Sequence, residues 1–126
     1  ETLEDLRGLC EDACARCGCE SDFRQTNHEG EMITWIQQAR GRVSGIVINA
    51  AAWTHTSLAI HDALKIAEVP VMEVHISDPK KRESFRHFSY IEPLAEKTFS
   101  GMGSKGYVLA IEPLSTALRA MDAPGL

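Results

Sequence analysis

Along the first seventeen residues Leu3, Leu6, Cys10, Ala13, Cys14 and Cys17 recur at three- and four-residue steps, the spacing that lines one face of an α-helix. Thr2 with Asp5 three positions on has the form of a capping box, and Gly18 sits where a helix C-terminus needs positive φ. A helix over about 2–17 is predicted. Residues 19–25 are rather polar and read as a short strand near a sheet edge. From Gly30 to Arg40, Met32, Ile33, Ile36 and Ala39 mark a second amphipathic helix, which Gly41 can close. IVINA at 46–50 is a buried strand, and Leu58, Ile60, Ala63, Leu64 and Ala67 predict a helix over 57–67. VPVMEVHI at 69–76 reads as a central strand covered on both faces. A polar loop follows from Ser77 to about Ser89. TFSGM at 98–102 predicts another short strand, and 104–120 a last helix that Pro113 should kink or restart.

Strands alternating with helices imply parallel pairing through right-handed crossovers, hence an α/β, flavodoxin-like three-layer sandwich. The pattern opens on a helix, whereas a doubly wound domain places a strand ahead of its first helix, central in the order 2-1-3-4-5. That first strand is absent from this sequence. Between the strand at 19–25 and IVINA a gap is therefore expected, to be filled by a further N-terminal segment, a partner chain or another pairing, because unpaired backbone groups are costly.

Composition narrows the class. At 126 residues and 44% hydrophobic, the chain suits a single domain, 1–126, with its own core. A net charge of -5 with scattered positive residues excludes a nucleic-acid surface, which wants clustered Lys and Arg. A small anion needs only one or two well-placed Arg residues. No apolar run reaches bilayer length, and ETLEDLRG lacks the basic start and apolar core of a secretion signal. The expectation is a soluble, cytoplasmic protein. The four cysteines, Cys10, Cys14, Cys17 and Cys19, give a single CxxC without the second pair that zinc sites use. Cys10, Cys14 and Cys17 read more simply as small apolar residues on the inner side of the first helix, and no metal is expected.

Polar residues gather after both buried strands: Asn49, His55, Thr56, Ser57 and Asp62 after the first, and Glu73, His75, Ser77, Arg86 and His87 in and beyond the second. Open α/β sheets put their ligand sites at such strand ends. An imidazolium near neutral pH can protonate a leaving hydroxyl, and Glu73, two residues earlier on the same face, can hold the His75 ring in orientation. The plainer reading makes His75 a satisfied core histidine and Asn49 a turn former.

FRQTNHEGEMITWI at 23–36, GIVINAAAWTHTSLAIHDAL at 45–64, EVHISDPKKRESFRHFSY at 73–90 and GMGSKGYVLAI at 101–111 together resemble type II dehydroquinase, the type II 3-dehydroquinate dehydratase of the shikimate and quinate pathways. The resemblance covers nearly all of the chain in order. It implies a flavodoxin-like lyase that assembles as a homo-oligomer, a trimer-based dodecamer, and needs no cofactor. It implies that 3-dehydroquinate loses a proton α to its ketone to give an enolate, after which an acid helps the hydroxyl depart and 3-dehydroshikimate forms. His75 is similar in position to the family's acid, with Glu73 behind it. Asn49 resembles the residue that binds substrate and an ordered water beside the enolate. His55 and Arg86 resemble contacts to ring hydroxyls, and the backbone N–H groups of Ile76 and Ser77 a carboxylate cradle. Asp62 matches a residue that reaches the neighbouring subunit's site.

Departures from the family pattern are as informative. Its members carry an N-terminal strand ending in Asn-Gly-Pro-Asn-Leu and then a lid bearing an Arg and the Tyr base; this sequence starts after that point. Tyr90 and Tyr107 lie in other motifs and cannot take the base's role. Ala50-Ala51-Ala52 follows Asn49 where Pro and Gly are frequent, which restricts a turn that Gly would leave free. Gly101, Gly103 and Gly106 form a GxGxxG that reads as a structural turn, not a phosphate loop. Three readings follow: part of an active enzyme, a noncatalytic binding or assembly relative, and a generic flavodoxin-like nucleotide or signalling module. The first is preferred.

Overall fold

A computed structural model describes the chain over residues 1–122, with side chains through residue 115. Helix α1, Leu3–Arg16, begins on the expected capping box, in which Thr2 Oγ1 accepts the Asp5 N–H at 3.1 Å and Asp5 Oδ2 accepts the Thr2 N–H at 2.9 Å. Gly18 ends it at φ 76°. Helix α2 spans Glu29–Ala39, strand β1 Ile46–Ile48, helix α3 Leu58–Ala67, strand β2 Val71–His75, strand β3 Lys97–Ser100 and helix α4 Lys105–Asp122. The last helix continues through Pro113 as one element rather than restarting there.

The sheet is parallel throughout, in the order β1-β2-β3. Strand β2 is central and buried at every position, as its unbroken apolar run predicts. Its alternation sorts the layers. Val71 joins Ile36, Ile48, Ile60 and Leu64 in a core on the α2/α3 side, whereas Met72 and Val74 pack with Phe99, Ala110 and Leu114 of the α4 side. Helix α1 packs beside α4 on that same side, with Cys10 and Ala13 against Ile111 and Val47 of β1 on the same cluster. Three layers result. Cys14 and Cys17 pack on this cluster too, and burial pushes the Cys10 thiol up to about 11, the behaviour of an inert core cysteine.

Two expectations need correction. Residues 19–25 form no strand, because a strand needs a neighbour to exchange hydrogen bonds with and the described residues place none beside this segment. Side chains hold it locally instead: Arg24 grips Asp22 through two bonds of 2.9 and 3.1 Å, and Phe23 packs on the α1/α4 cluster. The segment at 19–25 is accordingly left unpaired, and among the described residues β1 has β2 as its one strand partner. The first strand itself is shorter than IVINA, because Asn49 Oδ1 accepts the Ala51 N–H at 3.0 Å and turns the chain into a 3₁₀ turn, Ala51–His55. Ala51 takes φ 50° there, so the restriction read from the Asn49-Ala50-Ala51 string is a real backbone feature.

Between β2 and β3 three short 3₁₀ turns, Pro79–Lys81, Ser84–Arg86 and Glu92–Leu94, replace a crossover helix. They fold back over the C-terminal ends of the strands and form the outer wall of the site. The GxGxxG is the β3-to-α4 turn, and a Cβ on Gly106 would come within 3.2 Å of Val74 Cγ1, so its last glycine lets α4 approach the sheet.

Candidate active site

Residues of one parity on β2 share a face, which puts Val71, Glu73 and His75 in a row on the α2/α3 side. Val71 lies in the core, but His75 is at the strand's end, where the sheet opens. Between them Glu73 is fully buried, and its Oε2 lies 2.7 Å from His75 Nε2. A carboxylate only accepts, so Nε2–H donates and Nδ1 is the nitrogen left to face a ligand. Two hydroxyls donate to the same carboxylate, Ser89 Oγ to Oε2 at 2.7 Å and Thr98 Oγ1 to Oε1 at 2.9 Å.

Burial by itself pushes the Glu73 carboxyl up. The bonds from His75, Ser89 and Thr98, with the charge of His75, outweigh it and hold Glu73 below the usual carboxylate range. A fully buried acid is thus kept ionised beside an imidazole, an arrangement that fixes the ring plane and its tautomer.

A cavity of about 260 Å³ opens at this strand end. Glu73 and His75 form its floor, Thr98 and Ser100 of β3 one side, His55 another, and the turns after β2 supply Asp78, Lys80, Arg86 and Glu92. His55 Nδ1 donates to the Phe88 carbonyl at 2.7 Å, which aims the ring and leaves Nε2 for a ligand. Arg86 is anchored to Glu83 through Nε at 3.2 Å. Thr54, next to His55 on the wall, buries an Oγ1 that has no partner among the described residues.

Five of the residues singled out in the sequence, His55, Glu73, His75, Arg86 and His87, therefore line one cavity. The others lie elsewhere. Asn49 belongs to the opposite face of the sheet, where its Nδ2 donates to the Tyr107 hydroxyl of α4 at 2.9 Å. Asp62 is exposed on α3, and Ile76 and Ser77 are exposed just past β2. The Ile76 carbonyl accepts the Gly103 N–H at 3.1 Å, tying this end of β2 to the glycine turn. Burial pushes the Tyr107 hydroxyl up, so it stands as a neutral phenol packed under Asn49.

Sequence reasoning missed Ser89 and Thr98. Thr98 faces Glu73 directly across the β2/β3 ladder, a register that one strand's alternation does not disclose. Ser89 was absorbed into a polar loop. Its signal was the turn it caps, for Ser89 Oγ accepts the N–H groups of Ile91 and Glu92 at 3.1 and 3.0 Å.

What such a pair does well is move a proton at a site partly screened from water, and its place above a parallel sheet puts the protein among flavodoxin-like α/β enzymes of the acid–base kind. The chain belongs to the class II dehydroquinases: the family model described as "Dehydroquinase class II" matches residues 1–115. Over 123 residues it is 53% identical to "3-dehydroquinate dehydratase 2" of Pseudomonas putida, covering 98% of this chain and 83% of that one. To the protein of the same name from Pseudomonas aeruginosa it is 51% identical over 119 residues, covering 94% and 80%. Among solved structures, the type II dehydroquinase from Propionibacterium acnes superposes with a TM-score of 0.86 at 41% identity, covering 91% of this chain and 79% of that one.

Proposed function

We propose that the protein is a 3-dehydroquinate dehydratase that removes water from 3-dehydroquinate through an enolate, with His75 as the acid. The observation that carries this reading is the ionised, fully buried Glu73 holding His75 Nε2 at 2.7 Å on the floor of the cavity. In the imidazolium, one N–H stays on Glu73 while Nδ1–H passes its proton to the departing hydroxyl. The C–O bond breaks, water leaves, and the enolate's electrons form the new double bond. Nε2–H remains on the carboxylate throughout, so the ring does not tumble as its charge is lost.

Binding follows the cavity wall. His55 Nε2 and the Arg86 guanidinium bind ring hydroxyls, and the backbone N–H groups of Ile76 and Ser77, at the rim, receive the substrate carboxylate. Asn49 binds the water beside the enolate, a role that requires its amide to turn from Tyr107. Asp62, exposed on α3, reaches a neighbouring subunit. A trimer-based dodecamer fits the apolar side chains left in water, Leu58, Ile66, Phe85 and Phe88, each more than half exposed. Its mass in solution is read by light scattering. Location in the cytoplasm and service in the shikimate or quinate pathway belong to the same proposal.

The test is direct. Full-length protein mixed with 3-dehydroquinate should produce the ultraviolet absorbance of the conjugated product, and His75→Ala should remove it. Binding of the ring acid without product would mark a noncatalytic relative. Unchanged turnover in His75→Ala would remove His75 from the role of acid.

A further inference from the structure

Glu73 receives more hydrogen bonds than holding one imidazole requires. Ser89 Oγ and His75 Nε2 share Oε2, each at 2.7 Å, and Thr98 Oγ1 takes Oε1 at 2.9 Å. Both hydroxyls have little choice of direction. Ser89 Oγ already accepts the N–H groups of Ile91 and Glu92, so its lone pairs are engaged and its hydrogen is left for the carboxylate. Thr98 stands opposite Glu73 in the parallel ladder, and its branched Cβ keeps few rotamers. The two donors come from different elements and clamp both oxygens.

We propose that Ser89 and Thr98 are positioning residues for the acid: their hydroxyls fix the plane of the Glu73 carboxylate, and through it aim His75 Nδ1 into the cavity. This rests on the reading of His75 as the acid and extends it by two residues that never touch substrate.

The remaining charged groups around the pair leave these donors the controlling role. His55, Asp78, Lys80, Arg86, His87 and Glu92 line the same cavity, yet the bonds to Glu73 come from His75, Ser89 and Thr98. Of the packed elements, β1 brings only Ile46, Val47 and Ile48, and Lys97 of β3 lies over the Phe99 ring, on the other face. Asp62 and Lys65 of α3 are exposed, and His61 of α3 is engaged with the Tyr90 carbonyl at 2.6 Å.

Thr98→Val keeps the shape of the side chain and deletes the donor, and Thr98→Ser restores it. With full-length protein and 3-dehydroquinate, Thr98→Val should lower kcat about tenfold with KM little changed, the loss expected for one hydrogen bond to a charged group. The acid-side fall in kcat should move to higher pH, since a carboxylate with one donor fewer takes a proton sooner. Ser89→Ala should act in the same sense, and Thr98→Ser should return both readouts to the parent. A purely structural Thr98 would lower the melting temperature and leave the pH profile where it was, which would overturn the proposal. So would parental kcat and profile in Thr98→Val while His75→Ala is inactive. If His75→Ala itself turned over normally, the reading of His75 as acid would fall first and the proposal with it.

Discussion

The tips of β1 and β2 lie side by side and are built on different terms. At β2 a buried carboxylate is clamped by three side chains and presents an imidazole to a cavity. At β1 the end residue, Asn49, spends its amide on Tyr107 and its oxygen on the turn, and the chain then passes through Ala51 at φ 50°. One tip holds a charge in place, and the other makes a corner. Preorganised electrostatics is expensive to build inside a protein and is found where charge must be present at the moment of reaction. On the proposed reading proton transfer belongs to β2, while β1 shapes the wall that carries His55 and brings Asn49 to the water beside the enolate.

Glu73→Gln should have the largest effect of substitutions on stability. The folded Glu73 carboxyl lies below its ordinary value, so its contribution is present above the unfolded value and is lost as pH falls through the lower folded one. Thermal melts should show the parent losing stability as pH drops through and below the usual carboxylate range. The Gln variant should lack that component and be weaker by about 2 kcal/mol at neutral pH, the scale for hydrogen bonds to a buried charge. Parallel curves for parent and variant would show that the β2 tip stores nothing. Asn49→Ala removes one neutral bond to Tyr107 and should cost about 1 kcal/mol in denaturant unfolding. A loss matching that of Glu73→Gln would erase the contrast between the tips. Smallest, and opposite in sign, Ala51→Gly should stabilise by about 0.5 kcal/mol, relief of left-handed backbone strain partly offset by the freedom of glycine in the unfolded chain. Destabilisation by Ala51→Gly would mean that the corner is not strained.

Much of this was legible in the sequence, for identifiable reasons. Helix α1 could be read from Thr2, Asp5 and its leucine spacing because a capping box is a local interaction. The buried run of β2 and the two-residue step from Glu73 to His75 placed the central pair on one face without knowledge of any other strand. The segment at 19–25 failed because being a strand is a property of two segments, and its own composition could not supply the neighbour. Asn49 was grouped with His75 on the strength of nearness in the fold. Strand parity, with Ile46 and Ile48 toward α3 and Val47 toward α4, sends position 49 to the other face. Thr98 and Ser89 stayed hidden because their meaning lies in the β2/β3 register and in a turn that only the folded chain closes.

The central claim is that Glu73 and His75 work as one unit, and a double-mutant cycle on turnover tests it most directly. His75→Ala, Glu73→Gln and the double variant are compared with the parent at saturating 3-dehydroquinate. If Glu73 acts only through His75, the double variant is as slow as His75→Ala alone, with kcat down by about 10²–10⁴ in each. If the two losses multiply instead, Glu73 has work of its own and the two residues are not a single acid.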